Sequence, residues 1–391
     1  MEAVAVSQTE PTWTAAQLRA FGKECDALRD QVLADLGEQD ARYIQRIVAI
    51  QRWAEITGRG CLFVGILPPA FLAGTGLLAL SKILENMEIG HNVLHGQYDW
   101  MNDASLNSQT YEWDWACPAA SWRHSHNYIH HTFTNIVGKD RDVGYALLRM
   151  ADSQKWHWLR VPQPVYAFGQ MFLFEWAVAV HDLEGERLLR REKSPAQFLQ
   201  ELWPVVRKGS TQLFKDFVFF PALAGPFAPW VWTGNLSANV IRNVWAFLVI
   251  YCGHFPEEVH MFKDDPQALS FGALEGGQVD VDVDGQVDAK SGEPDPEVAR
   301  GAWYLRQVLG SANIEGPHWL HVLSGHLSRQ VEHHLFPDLP ANRYDELAPQ
   351  VRALCEKYGV PYHTGPLHRQ VAGAVRRIVR LALPQRAAAA S

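Results

Sequence analysis

His126-Asn-Tyr-Ile-His130-His131 is the stretch that decides how this chain is read. On an α-helix, residues four apart share a face, so His126 and His130 can present two imidazoles to one place. His131 is turned by about 100° from His130 and can address a second ion. Two related clusters flank this one. His91-Asn-Val-Leu-His95 lies upstream, and Gln330-Val-Glu-His333-His334 lies downstream with Gln330, His333 and His334 at i, i+3 and i+4. Seven of the 17 histidines thus stand in three boxes. Neutral imidazole is the commonest protein metal ligand and suits iron, copper and zinc alike. Seven are too many for one tetrahedral zinc, and no sulfur ligand accompanies them. Two ions of higher coordination number fit better than one.

The apolar runs around the boxes set the fold class. The 391 residues carry a formal charge of -8 and a pI near 6.1, which argues against a nucleic-acid partner. No charged residue occurs from Gly60 to Ser81, although Pro68-Pro69 interrupts that run. A second uncharged run covers Phe217–Ile241, and a third covers Asn243–Pro256 apart from His254. These lengths match bilayer-spanning helices. Gly234-Asn235 is expected to turn the chain between the last two runs, with Arg242 snorkelling to the interface from a helix end. The expected fold is all-α. It is an integral membrane helical bundle of about four transmembrane helices, with a cytoplasmic helical cap holding a histidine-ligated dimetal site.

Along the chain, 1–59 reads as amphipathic helices on the cytoplasmic side, without the apolar core of a secretory leader. Residues 60–370 form the membrane domain, with apolar segments 60–90 and 217–256 and an acidic, Gly-rich loop at 263–297. Residues 371–391 form a basic tail. Pro164–Val180 is apolar but contains Glu175, which favours an interfacial helix over a span. Cys25, Cys61, Cys117, Cys252 and Cys355 are scattered and fit reduced thiols. Asp280, Asp282, Asp284 and Gly285 imitate a calcium loop without its closing Glu, and Gly74-Thr-Gly-Leu-Leu-Ala79 imitates a dinucleotide fingerprint without a preceding strand. Boxes one and two have no apolar segment between them, and a hairpin over 217–256 returns the chain to the same side. All three boxes can therefore meet at one face. A transporter would instead place ionisable groups mid-membrane.

The boxes resemble those of the membrane fatty-acid desaturase superfamily, whose pattern is HxxxH, HxxxHH, and HxxHH or QxxHH. Trp122-Arg123, Thr134-Asn135 through Asp142, Gly325, and Gln330 through Pro337 add to the likeness, which extends over 40–370. Glu85-Asn-Met-Glu-Ile-Gly-His-Asn and Cys252-Gly-His-Phe-Pro256 bring it closest to actinobacterial acyl-CoA desaturases. The resemblance implies two iron ions, O2 as cosubstrate, and a long-chain acyl-CoA or acyl-lipid that receives a cis double bond. It implies a multi-pass protein of the cell membrane with its site on the cytoplasmic face. No His-Pro-Gly-Gly haem motif is present, so electrons come from a separate donor, a ferredoxin or an NAD(P)H-dependent reductase. The implied ligands are His91, His95, His126, His130, His131, His333 and His334, with His254 as a further ligand or else a satisfied core histidine. Gln330, His124, Asp140 and Asp142 are candidates to support ligands by hydrogen bonding. Gln330 stands where many members have His, and its own role stays open. His318, His321 and His326 are expected to be structural, and His157, His181, His260, His363 and His368 to lie at the surface or interface. Trp113–Trp122 is a candidate wall for an apolar substrate tunnel. Two other readings remain: a related diiron membrane hydroxylase, and a non-enzymatic membrane metal-binding or transport protein.

Overall fold

Thr14 caps the first helix, α1 (Ala15–Ala34), by a capping box with Gln17. The computed structural model describes residues 13–264 and 295–384. Most of the acidic loop expected at 263–297, including the calcium-loop mimic, lies outside the described residues.

Two helical hairpins follow in turn. α2 (Glu38–Leu62) leads through a short turn to α3 (Pro68–Ile83), which starts on proline, a residue already shaped for a first helical turn. The two helices pack backbone to backbone at glycines. A Cβ on Gly58 would sit 3.1 Å from the Gly74 carbonyl oxygen, and one on Gly74 would sit 2.9 Å from that of Gly58. The Gly74 segment is thus a helix contact. The second hairpin begins with α4 (Pro195–Phe214), capped by Ser194 and Gln197, and continues through a π-helical turn at Lys215–Phe219. It reverses at Gly225, whose φ of +53° suits glycine. α5 (Ala228–His254) then runs for 27 residues to the site.

Two expectations for this hairpin are corrected. Gly234-Asn235 is not a turn but lies inside α5. A Cβ on Gly234 would come within 2.4 Å of Leu62 Cδ2, and the Asn235 amide donates to the Asp216 carbonyl. These residues are small and polar because they pack against the other hairpin. Arg242 does not snorkel outward: it is 1% exposed, pairs with Glu175, and bonds Asn239 and Asn243. The charges that flank the uncharged runs meet one another. Arg59 and Lys82 converge on Asp216 at 3.4 and 2.8 Å, and Asn239 bonds the same carboxylate at 3.0 Å.

The hairpins carry exposed apolar side chains on their outer faces, among them Trp53, Ile56, Leu67, Leu72, Phe214 and Trp232. Among the described residues one helix, Gly225–His254, is long and apolar enough to cross a membrane, with mean hydropathy 1.3 and half of that window buried. α3 has only 16 residues, about 24 Å of helix. Above the hairpins a cap closes over the boxes. α1 packs on α6 (Pro296–Leu309), where a Cβ on Gly301 would meet the Leu18 carbonyl at 2.0 Å. The short strand Asn313–Glu315 pairs in parallel with Thr364–Pro366. The described part of the expected basic tail is no tail. It belongs to α7 (Leu367–Ala382), which buries Ala374, Ile378 and Leu381 on one face.

Candidate metal centre

Each box reaches the site on an irregular helix. α3 continues as a π-helix over Leu84–His91, followed by Asn92–Leu94 and then His95. Box two occupies a second π-helix, Arg123–His130, with His131 opening the next turn. Box three lies on the six-residue helix Gln330–Leu335. In π-helices the backbone bonds run i→i+5, and such stretches gather at functional sites.

This geometry sorts the histidines into groups that α-helical spacing does not give. His91, His95, His126 and His333 bring ligating nitrogens within 4.8 Å of one another. His130, His254 and His334 do the same beside them. His131 stands between, its ring 4.8 Å from that of His95 and 4.5 Å from that of His334. His91 and His95 converge as expected. His126 and His130 join different imidazole groups but also meet at Asp142, and His333 and His334 join different groups but also meet at His131. His254 joins the second group, its Nε2 3.3 Å from that of His334.

The unpartnered nitrogens test whether this cluster suits a cation. The Nε2 atoms of His91, His95, His126, His130, His131 and His333 are buried without a hydrogen-bond partner. An orphaned buried polar atom costs about 1–3 kcal/mol, so six together call for something to bond. Four of the outer nitrogens are engaged. His130 Nδ1 donates to Asp140 at 2.9 Å, His126 Nδ1 to Asp142 at 3.5 Å, His91 Nδ1 to Asn92 Oδ1 at 3.0 Å, and His334 Nδ1 to Gln307 Oε1 at 3.0 Å. A proton held on the outer nitrogen leaves the inner lone pair free for metal. The donor set fits transition cations.

Electrostatics agree with this division. Burial, then the neighbouring charge on His333, push His131 well below the usual imidazole range. Burial also opposes charge on His130, but the charge and hydrogen bond of Asp140 outweigh it and raise its pKa. Asp142 is likewise buried, yet bonds from His126 and His181 hold it well below the usual carboxylate range.

Of the expected supporting residues, Asp140 and Asp142 stand behind box two. Gln330 donates from Nε2 to His254 Nε2 at 2.9 Å, while its Oε1 is unpartnered. Gly253 leaves room for that side chain, since a Cβ there would sit 2.9 Å from Gln330 Cγ. His124 is exposed against Tyr128 and stays out of the cluster. His181, expected at the surface, is corrected: it is buried with Nε2 3.4 Å from Asp142. Asn92, Thr134 and Gln307 were missed. Asn92 lies inside box one and Thr134 follows box two, but Gln307, which also accepts from Thr134 at 2.8 Å, has no local signal.

A narrow cavity of about 40 Å³ opens beside both groups. Trp113, Trp115, Trp122, Ile250 and Phe255 line it together with His91, His126, His130 and His254. The three tryptophans are buried walls and not interfacial anchors.

The comparisons agree with this site. A model of the fatty acid desaturase family matches residues 66–366. The NADPH-dependent stearoyl-CoA 9-desaturase of Mycobacterium tuberculosis (strain ATCC 25618 / H37Rv) is 40% identical over 377 residues, covering 95% of this chain and 82% of that protein. The sn-1 linoleoyl-lipid 6-desaturase of Synechocystis sp. is 24% identical, covering 90% and 92%. Human fatty acid desaturase 3 is 37% identical over 265 residues, 66% of this chain and 50% of that protein. With its histidines gathered around an apolar slot and a family model along most of its length, the chain belongs to the fatty acid desaturase family and is an oxidoreductase, a fatty acyl desaturase.

Proposed function

We propose that this desaturase holds two iron ions between His91, His95, His126, His130, His131, His254, His333 and His334, and introduces a cis double bond into a long-chain acyl-CoA. The observation that carries the reading is the set of inward, unpartnered imidazole nitrogens beside an apolar slot. Iron with O2 supplies the oxidising power to take hydrogen from an unactivated methylene, which no side-chain base can do. The chain's own residues prepare that step. Asp140, Asp142, Asn92 and Gln307 keep protons on the outer imidazole nitrogens. Gln330 steadies His254. The tryptophan walls exclude water and guide the acyl chain, so that the shape of the slot selects which carbons meet the site. Apolar walls discriminate by about 1–3 kcal/mol per methylene, so neighbouring chain lengths are accepted.

Acyl-CoA is favoured over acyl-lipid because the 40% identical relative acts on stearoyl-CoA, whereas the lipid-acting relative is 24% identical. The same relative is NADPH-dependent, which favours a separate NAD(P)H-linked donor. The two hairpins, α2–α3 and α4–α5, are read as four spans of the cell membrane, with α1 and the cap on the cytoplasmic side. The apolar outer faces and the Gly225–His254 helix support this.

The test is purified protein with stearoyl-CoA, O2, NADPH and a reductase, followed by metal analysis and mass spectrometry of the product. Two irons per chain and a product lighter by two hydrogens are expected. A product heavier by one oxygen would assign a hydroxylase instead, and metal without turnover would assign a binding protein.

A further inference from the structure

His326 repeats, outside the eight-histidine cluster, the two-sided arrangement of the box histidines. It is buried on a left-handed turn (φ +55°) just before box three. Its Nδ1 donates to Glu88, with oxygens at 3.0 and 3.2 Å, and Glu88 also accepts the Tyr43 hydroxyl at 2.7 Å. Glu88 is fully buried. A buried carboxylate on Nδ1 fixes the proton there and leaves the lone pair on Nε2. That Nε2 is buried and without a partner.

What it faces is a pair of further ligands. Ligating atoms of His318, His326 and Asp345 lie within 4.8 Å of one another, and His318 Nδ1 is 3.5 Å from Asp345 Oδ2. Arg329 Nε takes the other Asp345 oxygen at 2.9 Å, so Asp345 presents a single oxygen. His321 flanks the site: Ser328 holds its Nδ1 at 2.7 Å, and its Nε2 lies 3.4 Å from Arg329 and 3.9 Å from the Asp345 oxygen that Arg329 takes. His318 is 72% exposed and gives solvent access.

We propose that His318, His326 and Asp345 form a further cation site, for a zinc-class divalent transition metal. Two neutral imidazoles and one carboxylate oxygen suit zinc and its neighbours and leave a position for water. The set is too poor in oxygen for calcium or magnesium. A surface ion pair between His318 and Asp345 accounts for those two side chains but not for the buried, unpartnered Nε2 of His326. A cation here ties together helix His318–Leu323, the turn at His326 and helix Tyr344–Tyr358. It therefore restrains the segment that carries Gln330, His333 and His334. Unlike the site above, it has no apolar slot beside it among the described residues, and its role is to hold position.

The experiment counts cobalt. Full-length detergent-purified protein is stripped with chelator, reloaded with Co2+ and dialysed, comparing wild type with H318A, D345N and H333A. His318 is exposed, so H318A keeps the fold. H318A and D345N should each bind one ion fewer than wild type and lose the visible band of low-coordinate cobalt, while H333A keeps that band. Equal counts and spectra in wild type, H318A and D345N overturn the proposal. The H333A arm reads the eight-histidine cluster separately, so failure of either site leaves the other measurable.

Discussion

The buried polar groups of the hairpins and those of the cap are built on opposite plans. Between the hairpins, Asp216 has Arg59, Lys82 and Asn239, and Arg242 has Glu175; even the Arg59 guanidinium lies 3.7 Å over the Phe220 ring. Those charges pair with one another, although Arg59 Nη1 keeps no hydrogen-bond partner. In the cap, imidazoles converge with their inner nitrogens unbonded. A self-satisfied cluster supports a fold, whereas a cluster of orphans is incomplete until something enters it. The same contrast answers the transporter reading: the mid-hairpin charges exist, but their carboxylates are already paired.

The contrast breaks most severely at the orphans. His333→Ala should lower turnover by at least about 100-fold, since even supporting residues are worth about 10–100-fold. The protein should still purify with unchanged helicity by circular dichroism, because no hairpin contact is lost. A His333→Ala enzyme with near-normal turnover would remove His333 from the metal site.

The hairpin cluster should respond in the opposite sense. Asp216→Ala leaves Arg59 and Lys82 buried without their carboxylate, a loss of about 3–5 kcal/mol. The expected result is a sharp fall in detergent-stable protein, with normal metal content in whatever folds. Replacing Arg242 and Glu175 together by Met and Leu should be far milder than either single change, because the pair leaves as a unit. A double variant as unstable as the singles would show that the pair has roles beyond neutralising each other.

Asp140→Asn sharpens the comparison from the cap side. It keeps the shape but removes the charge behind His130, so metal affinity should fall about 10–100-fold with little change in melting temperature. Equilibrium dialysis of the reloaded protein measures it. The smallest effect is expected at Gly253→Ala, where the new methyl presses on Gln330. Overpacking of about 1–3 kcal/mol can be relieved by moving that flexible side chain, so a several-fold loss of turnover is expected, seen in steady-state rates.

The boxes were legible because each packs its chemistry into six residues or fewer, whereas His254 stood out only through the family resemblance, which expects a histidine at the end of the last apolar run. Which further histidines each one meets was not legible: α-helical spacing pairs His126 with His130, but says nothing of His126 meeting His91, His95 and His333 while His130 meets His254 and His334. Gln307 was invisible because nothing near it in sequence marks it, yet it stands behind His334. The hairpin turn was misplaced for a related reason. Gly234-Asn235 looks like a turn, but its small and polar side chains answer Leu62 and Asp216 on other helices. Arg242 and His181 were read from their own neighbourhoods, and their partners Glu175 and Asp142 lie 67 and about 40 residues away.

A turn closed by i→i+5 bonds holds one residue more than an α-turn, so Leu84–His91 carries slack just ahead of the first box. Deleting Asn86 would let the backbone tighten to ordinary α-helix and deliver His91 and His95 still in phase. Deleting Leu77 from α3, which has no such slack, would swing both imidazoles by about 100° away from their partners without altering a single histidine. A one-residue deletion should therefore be survivable in one stretch of this helix and ruinous a few residues earlier.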